Sequence, residues 1–185
     1  DLEQFSRHLI GGTEAAGGTI NIVQKRALAT PAYEIGVHGG RWGVGGVDFG
    51  ATGPLGSEKL LYRMDTAYEH SNGFRRAGYD RFNMTPALFW RISSRDQLDL
   101  RLTYNQDRSH LDAGIPLQPT PSGDLVIPAI PLNRRFNTPG NFEKLSNPVL
   151  QGFYQHSLSE SLRLRQAFSY EYQNDEYWQS EGLTI

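Results

Sequence analysis

From Pro31 onward the chain breaks into short runs of alternating apolar and polar residues separated by Gly, Pro, Ser, Asn and Asp, the pattern of strands joined by turns. In Leu60 to Glu69, Leu60, Tyr62, Met64 and Tyr68 share one face while Arg63, Asp65 and Glu69 share the other. Phe82 to Ile92 puts Phe82, Met84, Pro86, Leu88, Trp90 and Ile92 opposite Asn83, Thr85, Ala87 and Arg91, with Phe89 the exception on the polar side. Leu98 to Asn105 sets Leu98, Leu100, Leu102 and Tyr104 against Asp99, Arg101, Thr103 and Asn105, which no 3.6-residue period can produce. Leu162 to Glu171 repeats the alternation, and Tyr33 to His38, Val44 to Thr52 and Val149 to His156 are weaker strands. Pro86 removes one ladder donor, so a bulge or an interrupted rung is expected there.

The connections alternate in length. Gly53 to Ser57, Ser93 to Asp96 and Ser157 to Glu160 read as tight turns, while a medium loop covers Ser71 to Asp80 and a long one Gln106 to Pro148. Compact water-soluble domains rarely carry so long a structureless connection. A transmembrane barrel does, because its periplasmic turns are short and its outer loops long. The strands starting near Leu60, Leu98 and Leu162 then run outward. Tyr62 and Trp90 are expected at the periplasmic edge, and Tyr68, Tyr104, Tyr170 and Tyr172 near the outer edge. The six steps from Tyr62 to Tyr68 span about 20 Å, too little to bracket an apolar band of about 25 Å by themselves. A water-soluble β-sandwich also alternates, with its apolar faces turned inward.

Composition narrows the choice. With 185 residues and a net charge of -2, the chain has no electrostatic case for nucleic acid. There is no apolar run long enough for a membrane helix and no signal peptide in the sequence. The absence of cysteine excludes disulfide scaffolds and thiolate metal sites. Twenty Gly, 9 Tyr and 9 Phe with a mean hydropathy of -0.51 suit strands apolar on one face only. His8, His38, His70, His110 and His156 lack metal-ligand spacing, and Ser157 to Ser161 reads as a polar turn rather than a nucleophile site. No catalytic group, metal site or cofactor is expected.

The segment Gly11 to Lys25, GGTEAAGGTINIVQK, resembles the end of the plug domain of TonB-dependent receptors. Gly12, Gly17, Gly18, Ile20, Asn21, Ile22, Val23 and Lys25 follow the family pattern, with Gln24 at the usual threonine; the Arg-Gly-Pro that usually precedes it is missing from Leu2 to Arg7. Downstream, GVHGGRWGVGGVDFGATGPLGSEKLLYRMDTAYEHSNGFR and PALFWRISSRDQLDLRLTYNQDRSHLDAGIPL resemble the first barrel strands of siderophore receptors. The resemblance implies an all-β fold: about seven strands of a barrel of about twenty-two, preceded by the plug terminus. Residues 1–30 would be plug and 31–185 barrel. A sheet with two free edges is unstable in lipid, so an incomplete stretch of a longer protein is expected.

The function implied is an outer-membrane receptor for ferric siderophores, with TonB, through a region not in this sequence, and outer-membrane lipid as further partners. Ligand contacts are expected from outer-loop Arg75, Arg76 and Tyr79, which join cations to aromatic surface, and secondarily from Arg41 and Trp42. Arg63, Asp65, Glu69, Arg91, Asp99, Arg101, Arg163, Arg165 and Glu171 are expected to line the lumen as opposed charge ladders on neighbouring strands. The long loop, with Pro116, Pro119, Pro121, Pro128, Pro131 and Pro139, is expected to act as a lid, with Val126, Ile127, Ile130 and Leu132 packing as a small hairpin. Alternatives are a passive porin-like or adhesin barrel and a soluble carbohydrate-binding β-sandwich.

Overall fold

A computed structural model describes residues 24–136 and 140–179. Strands β1 (Ala32–Gly39), β2 (Gly45–Ser57), β3 (Leu60–Ser71), β4 (Tyr79–Arg91) and β5 (Asp96–Ser109) form an antiparallel meander. A two-residue hairpin of β6 (Gln118–Pro119) and β7 (Leu125–Val126) stands apart in the long loop, and β8 (Phe142–Ser157), β9 (Arg163–Glu171) and β10 (Asn174–Trp178) complete the main sheet. The sheet is not closed: β1 is one edge, and β9 with β10 form the other.

β9 and β10 are two halves of one strand. Both hold a single register against β8, Glu171 opposite Val149 and Asn174 opposite Ser146. The break falls opposite Pro148, which accepts a bond from the Tyr172 amide at 3.0 Å but has no N–H to return. The Asn147 side-chain amide serves the Tyr172 carbonyl instead, at 3.3 Å. Pro148→Val is therefore expected to join the two halves and stabilise them by about 1 kcal/mol. Slow hydrogen exchange at the amide of position 148 checks it; exchange at the rate of the loops would assign the break to another cause.

Pro86 acts in the same way without a bulge. The β4 to β5 register runs through Met84 with Tyr104, skips two rungs, and resumes unshifted at Ala87 with Arg101. The region expected to be a turn, Gly53 to Ser57, is instead the bulged end of β2. The register shifts between Pro54 and Ser57, Gly56 takes a positive φ of 71°, and the chain reverses at Glu58 and Lys59. The long connection is also shorter than expected, because β5 runs on to Ser109 and β8 begins at Phe142.

The two faces of the sheet separate as the alternation predicts, and the polar face is the covered one. Arg63 is 7% exposed, Asp99 9% and Thr52 2%, whereas Ile35 is 78% and Val37 80% exposed on the apolar face. Among the described residues the buried apolar core is only Ala51, Leu61 and Phe153. A β-sandwich buries its apolar faces against each other; here that face has no partner layer among the described residues.

The apolar band ends in matched polar groups. Toward the loops, Asp80 Oδ1 accepts from the Tyr68 hydroxyl at 2.6 Å and lies 2.9 Å from His70 Nδ1. Toward the tight turns, Asp96 Oδ1 accepts from the Tyr154 hydroxyl at 2.6 Å and lies 2.7 Å from His156 Nδ1. Tyr154 thus lies at the tight-turn end of the band, beyond the stretch that Tyr62 and Tyr68 span. On β5 the residues of the apolar face between Asp96 and Arg108 cover about 40 Å of strand.

Candidate functional site

At the loop end, the first turn and the loop after β3 meet. Arg41–Gly43 forms one turn of 3-10 helix in which Trp42 adopts a φ of 59°. The Trp42 carbonyl accepts the Asn72 amide at 3.0 Å, and its ring packs edge-on to Phe74 at 5.4 Å. The Arg41 guanidinium lies 5.3 Å from the Trp42 ring centroid and that of Arg75 5.5 Å from Phe74. Arg76 takes a φ of 58°. Trp42 and Arg76 are thus the only non-glycine residues with positive φ among the described residues, and strain of this kind, of order 1–3 kcal/mol, gathers at binding sites.

Two arginines lash this loop to the long one reciprocally. Arg75 donates from Nε to the Leu132 carbonyl at 2.7 Å and from Nη1 to Asp112 at 2.8 Å. Arg135 donates from Nη1 to the Arg76 carbonyl at 3.1 Å and from Nη2 to the Asn141 side-chain oxygen. Asn141, 0% exposed, donates to the Leu111 carbonyl at 2.9 Å, and its own carbonyl bonds the His110 ring at 2.7 Å. The lashing includes no packed apolar hairpin, since Val126, Ile127 and Leu132 stay exposed and only Ile130 is half-buried.

The five expected contact residues thus differ in their freedom. Arg41, Trp42 and Arg76 form no ion pair among the described residues. Arg75 is held by Asp112, and Tyr79 donates its hydroxyl to Glu69 at 2.7 Å beneath the Arg81 guanidinium. Phe74, Asp112, Arg135 and Asn141 were not singled out from the sequence; Phe74, beside two arginines, carried the only visible signal.

Burial pushes the Asp112 carboxyl up, but the Arg75 guanidinium, the Gly114 amide and the charge of Arg135 outweigh it and hold the group below the ordinary carboxylate range. A depressed carboxylate stabilises above its unfolded pKa, and that stability is lost as pH falls through the folded value. The clasp should therefore hold through the ordinary carboxylate range and loosen only as pH falls below it, read as faster exchange of the Gly114 amide, which bonds Asp112. An exchange rate independent of acid, after correction for intrinsic chemistry, would contradict it.

The covered polar face carries the second group of contacts. Gln24 donates to the Thr103 hydroxyl at 2.5 Å, and the Leu28 amide to Thr52 at 2.8 Å. Lys25 Nζ lies 3.2 Å from Glu34 and 3.5 Å from Asp65. The other residues of the glycine motif, Gly12, Gly17, Gly18 and Asn21 among them, lie outside the described residues. Charge on this face is paired differently from the expected ladders. Arg63 bonds Asp65 at 2.5 Å and Arg101 bonds Asp99 at 2.6 Å, each two residues along its own strand, because side chains at i and i+2 share a face. Arg81 with Asp107, at 2.6 Å, is a cross-strand pair, while Arg163 and Arg165 form no ion pair among the described residues. Among those residues no group of three or more His, Asp or Glu is placed to hold a metal ion, and no helix is long and apolar enough to cross a membrane.

No protein-family model matches the chain. The chain is 29% identical over 173 residues to the metal-pseudopaline receptor CntO of Pseudomonas aeruginosa, covering 91% of this chain and 24% of that receptor. Among solved structures it superposes on the siderophore receptor PiuA of Acinetobacter baumannii with a TM-score of 0.74 at 19% identity, over 90% of this chain and 24% of PiuA. It superposes on the ferric-catecholate import receptor Fiu of E. coli with a TM-score of 0.77 at 13% identity, over 91% of this chain and 25% of Fiu. The fold is that of the barrel portion of a TonB-dependent receptor. This chain spans about a quarter of the length of these receptors. Its relatives are receptors rather than enzymes, and within such a barrel the polar face becomes the lumen wall and the apolar face the outer wall.

Proposed function

We propose that the chain is part of an outer-membrane receptor that takes up ferric siderophores by TonB-driven transport, with residues 1–30 ending the plug and 31–185 opening the barrel. The inverted burial carries this reading: an apolar face left bare, a polar face covered by the segment Gln24 to Leu28. Lipid is the partner that satisfies such a surface, and further strands would pair the open edges. Ligand contacts come from Arg41, Trp42, Arg75, Arg76 and Tyr79, where cations flank aromatic rings suited to an anionic or aromatic chelate. The strained backbone at Trp42 and Arg76 supports this placement, and the lashed long loop acts as the lid.

A second reading, uptake of a metal chelate other than a ferric one, is favoured by the sequence relative's being a metal-pseudopaline receptor. The test is quenching of intrinsic fluorescence in the detergent-purified full-length receptor, titrated with iron-loaded siderophores and with other metal chelates. Saturable quenching that weakens in Arg76→Ala and Trp42→Ala supports the site. A protein that stays in solution without detergent and binds no chelate would end both readings.

A further inference from the structure

On the lumen wall, away from the loop site, lies a cavity of about 260 Å³ between the segment Lys25 to Ala27 and strands β3, β4 and β5. Among the described residues its lining carries Lys25, Arg26, Arg91, Arg101 and the carboxylate of Asp99, and Arg26 already has an interaction of its own. Asp99 is committed to Arg101, with both side chains nearly buried at 12% and 13% exposure. Lys25 is shared with Glu34 and Asp65, but Arg91 makes no ion pair within 4 Å among the described residues. Phe89, which breaks the polar alternation of β4, and Leu61 give the cavity an apolar floor.

We propose that this cavity binds a compact polycarboxylate anion, held by the forked guanidinium of Arg91 with Lys25 beside it. The proposal rests on the receptor reading and adds a second site to it. A guanidinium donates two parallel bonds to a carboxylate, and such charge-assisted bonds are roughly twice as strong as neutral ones. The volume, about that of nine water molecules, lies under the roughly 300–1,000 Å³ that drug-sized ligands occupy. The occupant is therefore smaller than a whole siderophore complex.

The position gives the site a consequence. Three of its lining residues belong to the segment Lys25 to Ala27, so the segment must be docked for the site to exist. By linkage, an anion bound there favours the docked segment by the same factor as docking favours the anion.

Citrate is the probe, titrated by calorimetry at low ionic strength into the detergent-purified full-length receptor, with ferric siderophore binding measured on the same preparation. Saturable citrate binding is expected, weaker by about tenfold in Arg91→Gln and abolished in Ala87→Leu, which fills the cavity, while siderophore binding is unchanged in both variants. Citrate should also slow exchange of the Leu28 amide, which bonds Thr52 in the docked segment. Absence of saturable citrate binding, or binding indifferent to both variants, with siderophore binding intact overturns the cavity site alone. Loss of both activities in the unmodified receptor overturns the receptor reading and the site with it.

Discussion

Leu102→Arg is expected to destabilise the membrane-inserted barrel by about 2–4 kcal/mol, the cost of a cation on the lipid face near the bilayer midplane. Leu102 is the midpoint of the outward face of β5, six residues from Asp96 at one end and six from Arg108 at the other. Gln106→Arg, on the same face but one pair of residues from the outer end, is expected to cost less than about 1 kcal/mol, because the new charge reaches the headgroups. Thr103→Arg, one residue away but on the lumen face, lies outside the lipid gradient altogether. Urea unfolding of the receptor refolded into vesicles measures all three. A flat response between positions 102 and 106 would remove the assignment of this face to lipid, since a solvent-exposed surface costs the same at both.

Asn141→Ala should open the long loop without loosening the sheet. The substitution strips the Arg135 guanidinium and the Leu111 carbonyl of their buried partner, and Arg135 Nε already has none. Taking one acceptor away from a partly buried guanidinium costs about 2 kcal/mol, which exceeds what a few surface contacts return. The expected result is rapid protease cleavage within residues 110–136 and weaker chelate binding, with thermal unfolding of the barrel unchanged. Asn141→Asp keeps an acceptor for Arg135 and should lose less. Equal protease resistance in all three proteins would mean that the loop is held elsewhere.

Strand identity was legible wherever one face meets apolar surroundings and the other polar. Leu98 to Asn105 announces itself because Leu98, Leu100, Leu102 and Tyr104 all point one way. The same strand continues through Gln106, Asp107, Arg108 and Ser109 without any alternation. Beyond the apolar band both faces favour polar residues, so the period vanishes while the ladder persists; β8 begins at Phe142 for the same reason. The turn at Gly53 to Ser57 misled because Pro and Gly serve equally in a turn and in a bulge. Of the site, Arg41, Trp42, Arg75 and Arg76 stood out as cations beside aromatics, but the clasp was hidden. Asn141 and Leu111 meet only through folding, and an isolated Asn in a polar loop has no pattern to betray it.

The along-strand pairing of Arg63 with Asp65 and of Arg101 with Asp99 bears on biogenesis. On the receptor reading these strands enter a bilayer, where a charge whose counterion sits on another strand would stay unneutralised until the two strands paired. Here each of these arginines enters with its counterion already two residues away. On that reading, charge at these positions would be balanced whatever the order in which the strands pair.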